Sequence, residues 1–190
     1  MQKKYIGFPM KDGCHVNGAN LGIDVIKEKI NFDKIIDIES LEKDIDTVIH
    51  YDTILAKCVD EVLSNNNMPI TIGGDHSLAI GSIAGSSKNN EIGVIWFDTH
   101  PDINTNKTTT TFNIHGYPLA ASMGFGLDEL VNLYDSKTKV NYENVVIFGI
   151  NDIDDPEQEL INKYNKFHNN NISKLRFVFC CDILKIRNNL

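Results

Sequence analysis

Three observations predict an α/β protein built on a mainly parallel sheet. Strand-like and helix-like patterns alternate along the chain. The two segments richest in chemically capable side chains, GGDHS and DTHPD, each follow directly on an apolar strand-like run. And 190 residues with 42% hydrophobic content suffice for one domain with a real core. In open parallel sheets ligands collect beyond the carboxyl ends of the strands, so the second observation ties the fold to a site.

The elements follow in order. KKYIGFPM (3–10) reads as a first strand, ended by Gly and Pro. LGIDVIKEKI (21–30) has helical spacing at Ile23, Ile26 and Ile30, and KIIDI (34–38) is a short strand. Residues 46–63 place Val48, Ile49, Ile54, Leu55, Cys58, Val59, Val62 and Leu63 mostly on one helical face. Asn65–Asn67 break that helix. MPITIGG (68–74) is the next strand, turned by Gly73-Gly74, and SLAIGSIAG (77–85) is a helix opening on Ser77. EIGVIWF (91–97) and NVVIFGI (144–150) are strands. DPEQELINKYNK (155–166) is an amphipathic helix with Pro near its start. Such alternation predicts parallel strands with helices on the sheet faces.

Composition narrows the function. The formal net charge of −8 and the pI of about 5.1 argue against a nucleic-acid surface and fit a small cationic substrate. No apolar run approaches the roughly 20 residues that span a bilayer. The N-terminus reads as no signal peptide. Cys14, Cys58, Cys180 and Cys181 match no C-x-x-C motif and read as reduced thiols. The expected location is the cytoplasm.

Asp98, His100 and Asp102 lie two apart, so an extended backbone past Phe97 would project all three to one side; Pro101 disfavours the helical region before it. Two carboxylates and an imidazole suit a borderline divalent ion such as Mn²⁺ or Zn²⁺. Asp75 and His76, after the glycine turn, offer more ligands from a second strand end. Two such ions close together can ionise a bridging water. His15, His50 and His168 have no such company and read as surface or structural histidines.

Together, GGDHS (73–77), DTHPDINT (98–105) and NIHG (113–116) resemble the arginase family of manganese ureohydrolases. GFPMKDG near the N-terminus and GINDIDDPE (149–157) extend the resemblance over about residues 3–166. It implies a three-layer α-β-α fold with a mainly parallel sheet. It also implies hydrolysis of L-arginine to L-ornithine and urea, with two Mn²⁺ per subunit. His76, Asp98 and Asp102 would then ligate one manganese; Asp98 would bridge to the second, which His100 also binds. His115 would be the catalytic proton shuttle, a task imidazole suits. Asn104, Thr109, Thr111 and Asn113 would hold the substrate α-carboxylate. Asp154 would face the α-ammonium, with Asp152 and Glu157 lining the same side. The block from Asp98 to Gly116 favours arginine over agmatine, another guanidino hydrolase being the alternative. Family members are commonly trimers or hexamers; no nucleic-acid or membrane partner is expected.

The sequence also departs from the family pattern. Thr111-Phe112 stands where Ser-Gly is common, and Asn151 where Arg is common. The family's later S-x-D-x-D-x-x-D-P strand, which carries two further carboxylate ligands, has no match in residues 150–190. The reading is therefore of a chain incomplete at the C-terminal side: residues 1–166 as the N-terminal part of one arginase-like domain, 167–190 as a tail without clear family resemblance. A frameshift near 165–175 is the expected origin. The four remaining ligands predict at most one weakly held manganese. Activity is expected to be impaired or lost, which leaves a non-catalytic metal- or amino-acid-binding protein as the alternative. Within the tail, LRFVFCCDIL has the composition of one apolar strand.

Overall fold

The computed structural model describes residues 1–164 and 176–181. Its strands are β1 Lys3–Phe8, β2 Lys34–Ile35, β3 Met68–Gly73, β4 Ile92–Phe97, β5 Val145–Phe148 and β6 Arg176–Cys181. Its α-helices are α1 Gly22–Ile26, α2 Asp44–Ser64, α3 Leu78–Ser87, α4 Pro118–Ser122, α5 Asp128–Val131 and α6 Asp155–Tyr164. Every strand pairing is parallel. The protein is an α/β fold of the three-layer α-β-α kind, as the alternation predicts.

The strands are hydrogen-bonded as two three-stranded sheets, in the orders β2-β1-β3 and β5-β4-β6. β1 and β4 are the central strands and read accordingly as near-continuous apolar runs. Ile6, Phe8, Val94 and Trp96 are at most 2% exposed. The apolar segment after residue 173 does supply a strand: β6 lies beside β4 with Cys181 opposite Phe97. His168 and the rest of the tail reading lie outside the described residues.

Three expected elements change in detail. The helix expected over 21–30 ends at Ile26, with Lys27–Ile30 closed as turns by bonds back to Ile23 and Ile26. Only Ile23 of that helix is buried, too little apolar contact to extend it. The strand expected over 34–38 is an edge of two residues, though Ile36 N still donates to Gly7 O at 2.9 Å. Residues 117–143, which carry no clear periodicity, form α4 and α5. α4 opens on Pro118, whose fixed φ suits the first helical turn.

α2 and α3 cross in close backbone contact. α2 buries Val48, Asp52, Leu55, Ala56 and Val59, and α3 is buried along nearly its whole length. Gly81 and Gly85 make the approach possible. A Cβ on either would stand 2.5 Å from Asp52 O or 2.3 Å from Ala56 O. Asp52 is fully buried at this crossing, and its Oδ1 accepts from Gly81 N at 2.8 Å.

Burial, and secondarily the charge of Asp75, pushes the Asp52 carboxyl well above its ordinary value, against the Gly81 hydrogen bond. The folded state therefore keeps a proton that the unfolded chain releases. Stability from this group is full below the unfolded carboxyl value and is lost as pH rises toward the folded one. Asp52→Asn, which mimics the neutral acid, should raise the urea midpoint at pH 8 relative to the parent and flatten its fall above pH 5. An unchanged pH slope would show that Asp52 stays ionised in the fold.

Candidate metal centre

The site is assembled from three loops at the carboxyl ends of β3, β4 and β5. The first begins at Gly73-Gly74. Gly74 N donates to Phe8 O at 3.0 Å and Asp75 N to Met10 O at 2.9 Å, so the turn lies against the end of β1. A Cβ on Gly74 would stand 1.8 Å from Met10 O, an approach only glycine permits. Asp75 is buried but outside the converging group. Its oxygens accept from Gly13 N and Ser77 N, both at 2.9 Å, which ties the loop after β1 to the start of α3.

His76 follows, its ring stacked on Trp96 with centroids 4.4 Å apart and planes 23° from parallel. Trp96 is fully buried. The alternation of β4 puts Trp96 on the same face as Asp98, so one strand supplies both the ring under His76 and a carboxylate beside it. That pairing is visible in the sequence as the period-two step from 96 to 98.

Beyond β4 the backbone does not stay extended. Asp98 N still donates to Phe148 O at 3.1 Å, but Asp102 adopts the left-handed region with φ of 49°. That turn brings its carboxylate back over the strand end. His76 Nδ1 lies 2.8 Å from Asp102 Oδ2 and 3.0 Å from Asp98 Oδ2. Among the described residues, His76, Asp98 and Asp102 form the one group of three or more such side chains placed to share an ion. His100, which the resemblance pairs with Asp98 at a second position, lies outside this group of three. Its Nε2 is 3.2 Å from Asp152 Oδ2, its Nδ1 is 3.9 Å from Asp98 Oδ1, and its backbone N donates to Asp98 Oδ1 at 3.1 Å.

The triad has the character of a ligand set. His76 Nδ1 is buried and, despite those two short contacts, is aligned with neither carboxylate as a hydrogen bond. Neighbouring ligands on an octahedral ion with bonds of about 2.1 Å sit roughly 3 Å apart, which the spacing matches. Burial alone would lower the His76 pKa, but contacts to Asp102 and then Asp98 outweigh it and hold the ring at about 9. Burial raises the Asp102 carboxyl, with Asp98 adding to it and His76 opposing. Without a metal the cluster thus carries a proton on His76, which an incoming cation must displace. Divalent-ion affinity should therefore rise steadily from pH 6.5 to 9; Mn²⁺ titrations at three pH values check this, and a flat profile would place the proton elsewhere.

The surrounding predicted residues form a laced rim. His115 is half-buried, and its N donates to Gly13 O at 2.8 Å. Asn104 is buried, with Nδ2 donating to Asp154 Oδ2 and Oδ1 accepting from Thr108, both at 2.9 Å. Thr109 Oγ1 accepts from Thr111 N and Phe112 N, and Thr111 Oγ1 from Asn113 N. Asn113 Oδ1 accepts from His15 N at 3.1 Å. Phe112 has φ of 58° and is 69% exposed, a bulky residue in a conformation that favours glycine.

Asn151 N and Asp152 N both donate to Thr99 O, closing the loops after β4 and β5 on one another. Asp152 and Asp154 are exposed, whereas Glu157 is buried with both oxygens accepting from backbone amides. This structural use of Glu157 has a sequence signal, the D-x-x-E spacing at the start of α6.

Comparison with known proteins agrees with this architecture. A profile described as the arginase family matches residues 5–179. The arginase of Bacillus subtilis (strain 168) is 44% identical over 133 residues, covering 70% of this chain and 45% of that protein. The arginase of Brevibacillus brevis is 36% identical over 180 residues, covering 83% of this chain and 60% of that protein. A crystal structure of arginase from Bacillus subtilis superimposes with a TM-score of 0.79 at 32% identity, covering 94% of this chain and 63% of that one. The chain thus spans about half the length of the curated relatives it matches.

Proposed function

The chain belongs to the arginase family, and from that premise we propose that it carries a manganese site serving hydrolysis of L-arginine to L-ornithine and urea. One observation carries the reading: His76, Asp98 and Asp102 converge from two strand ends onto a point fit for a divalent ion. Asp98 and His100 would offer a neighbouring position. A bound ion would supply Lewis acidity that makes water nucleophilic near neutral pH.

The protein's own groups account for the rest. The exposed carboxylates of Asp152 and Asp154 attract the substrate ammonium group, a charge preference in keeping with the acidic chain. The hydroxyls of Thr109 and Thr111 and the amides of Asn104 and Asn113 face the α-carboxylate. In the reaction the water oxygen bonds to the guanidino carbon, the bond from that carbon to Nε of the substrate breaks, and His115 passes a proton to that nitrogen as it leaves as the side-chain amine of ornithine. These groups sit on loops fixed by the strands beneath, which supplies positioning.

The test has two parts. Mn²⁺ titration of the purified chain should reveal a bound divalent ion, lost in His76→Ala. Urea release should then be measured from L-arginine and from agmatine, which lacks the carboxylate. Turnover of arginine over agmatine supports the assignment; preference for agmatine would overturn the role given to the Thr109–Asn113 loop.

A further inference from the structure

We propose that Glu157 is a positioning residue that locks the Asp102–Ile103 peptide and thereby aims the Asp102 carboxylate at His76. The proposal rests on the metal-site reading above but makes a separate claim about the backbone.

Asp102 is held in a left-handed conformation with φ of 49°. A non-glycine residue stays there only where its surroundings over-determine it. Here the peptide that follows is gripped at both polar atoms. The Asp102 carbonyl accepts from Leu119 N at 3.1 Å and from Ala120 N at 3.4 Å, two amides in the first turn of α4. On the other side Ile103 N donates to Glu157 Oε1 at 3.1 Å. With oxygen and N–H both fixed, the plane of that peptide cannot rotate, and the direction of the Asp102 side chain is set. Its Oδ2 then lies 2.8 Å from His76 Nδ1.

Glu157 is itself well anchored. It is 4% exposed, and its second oxygen accepts from Asp154 N at 3.1 Å, the reciprocal half of a capping box at the start of α6. A carboxylate that accepts two amide hydrogen bonds and lies buried has little left to offer a substrate. A second bridge, Asn104 Nδ2 to Asp154 Oδ2 at 2.9 Å, crosses the same gap one residue further along. The loop that carries a metal ligand is thus pinned to the loop after β5. Outer groups that orient ligands commonly matter to metal affinity by about 10–100-fold.

Glu157→Gln tests the idea in the full chain. The glutamine keeps one acceptor but sets an NH₂ donor against one of the two amide donors. Hydrogen exchange of the Ile103 amide in the metal-free protein should quicken at least about 10-fold, with exchange across β1 unchanged. The Mn²⁺ dissociation constant, followed by the electron-spin signal of free Mn²⁺, should rise by about 10–100-fold. An unchanged Ile103 exchange rate overturns the proposal whatever the metal result. So does a lowered urea midpoint with unaltered Mn²⁺ affinity per folded molecule, the signature of a helix cap alone. Faster Ile103 exchange in a chain whose parent form binds no Mn²⁺ would support the lock and instead refute the metal assignment.

Discussion

Asp98→Asn is expected to weaken Mn²⁺ binding by more than the roughly 10–100-fold that follows from loss of an outer partner, because it removes a ligand itself. The change is isosteric, so folding should survive, and circular dichroism on the same sample checks that. In the metal-free protein two effects of the change on stability oppose each other. Asp98 and Asp102 crowd the same buried space, and the charge of Asp98 raises the cost of ionising Asp102. Removing one charge also withdraws part of what holds His76 at about 9, so its titration, followed by NMR, should move downward. Retained Mn²⁺ affinity would mean that the triad is a buried ion pair around a protonated histidine and nothing more.

Gly74→Ala should have the largest effect on the fold. Its Cβ would meet Met10 O at 1.8 Å and Met10 C at 2.8 Å. These are backbone atoms, so no side-chain rotation relieves the clash. The shift would break the bonds from Gly74 N to Phe8 O and from Asp75 N to Met10 O. A loss of at least about 3 kcal/mol is expected, read as a drop in the urea midpoint, together with weaker Mn²⁺ binding because His76 rides on the same turn. Gly73→Ala provides a contrast. Its Cβ would meet the Leu78 side chain at 1.9 Å, with Phe8 O at 3.2 Å. Leu78 can partly move aside, so the penalty should be smaller. Equal losses at both positions would show that the close backbone approach at Gly74 is not the reason for glycine there.

How much of this was legible beforehand depends on how local the cause is. The strands β1, β3, β4 and β5 show as short apolar runs bounded by turn residues, and α2 and α6 as helical periods, so local pattern marks them. α4 and α5 are pieces of five and four residues, with no room for a period. α4 forms where Pro118 starts a turn and Asp102 O accepts from Leu119 N and Ala120 N. The residues of the candidate metal centre announced themselves as acids and imidazoles after strands. Spacing alone would have grouped Asp98, His100 and Asp102 on an extended segment; the left-handed Asp102 instead brings together His76, Asp98 and Asp102, the set that the family resemblance names.

The sequence by itself determined the parallel α/β class, the placing of the reactive side chains at strand ends, and the resemblance to a family that the comparisons then established. Each is written in residue type and spacing, which act over a few positions. The tertiary structure alone decided the partners: His76 against Trp96, His100 against Asp152, Asp52 under α3, and Glu157 against Ile103. Those contacts join residues from 20 to 54 positions apart. Nothing in local propensity encodes such a meeting; it is fixed when the loops of neighbouring strands close on one another and their buried amides must each find an acceptor.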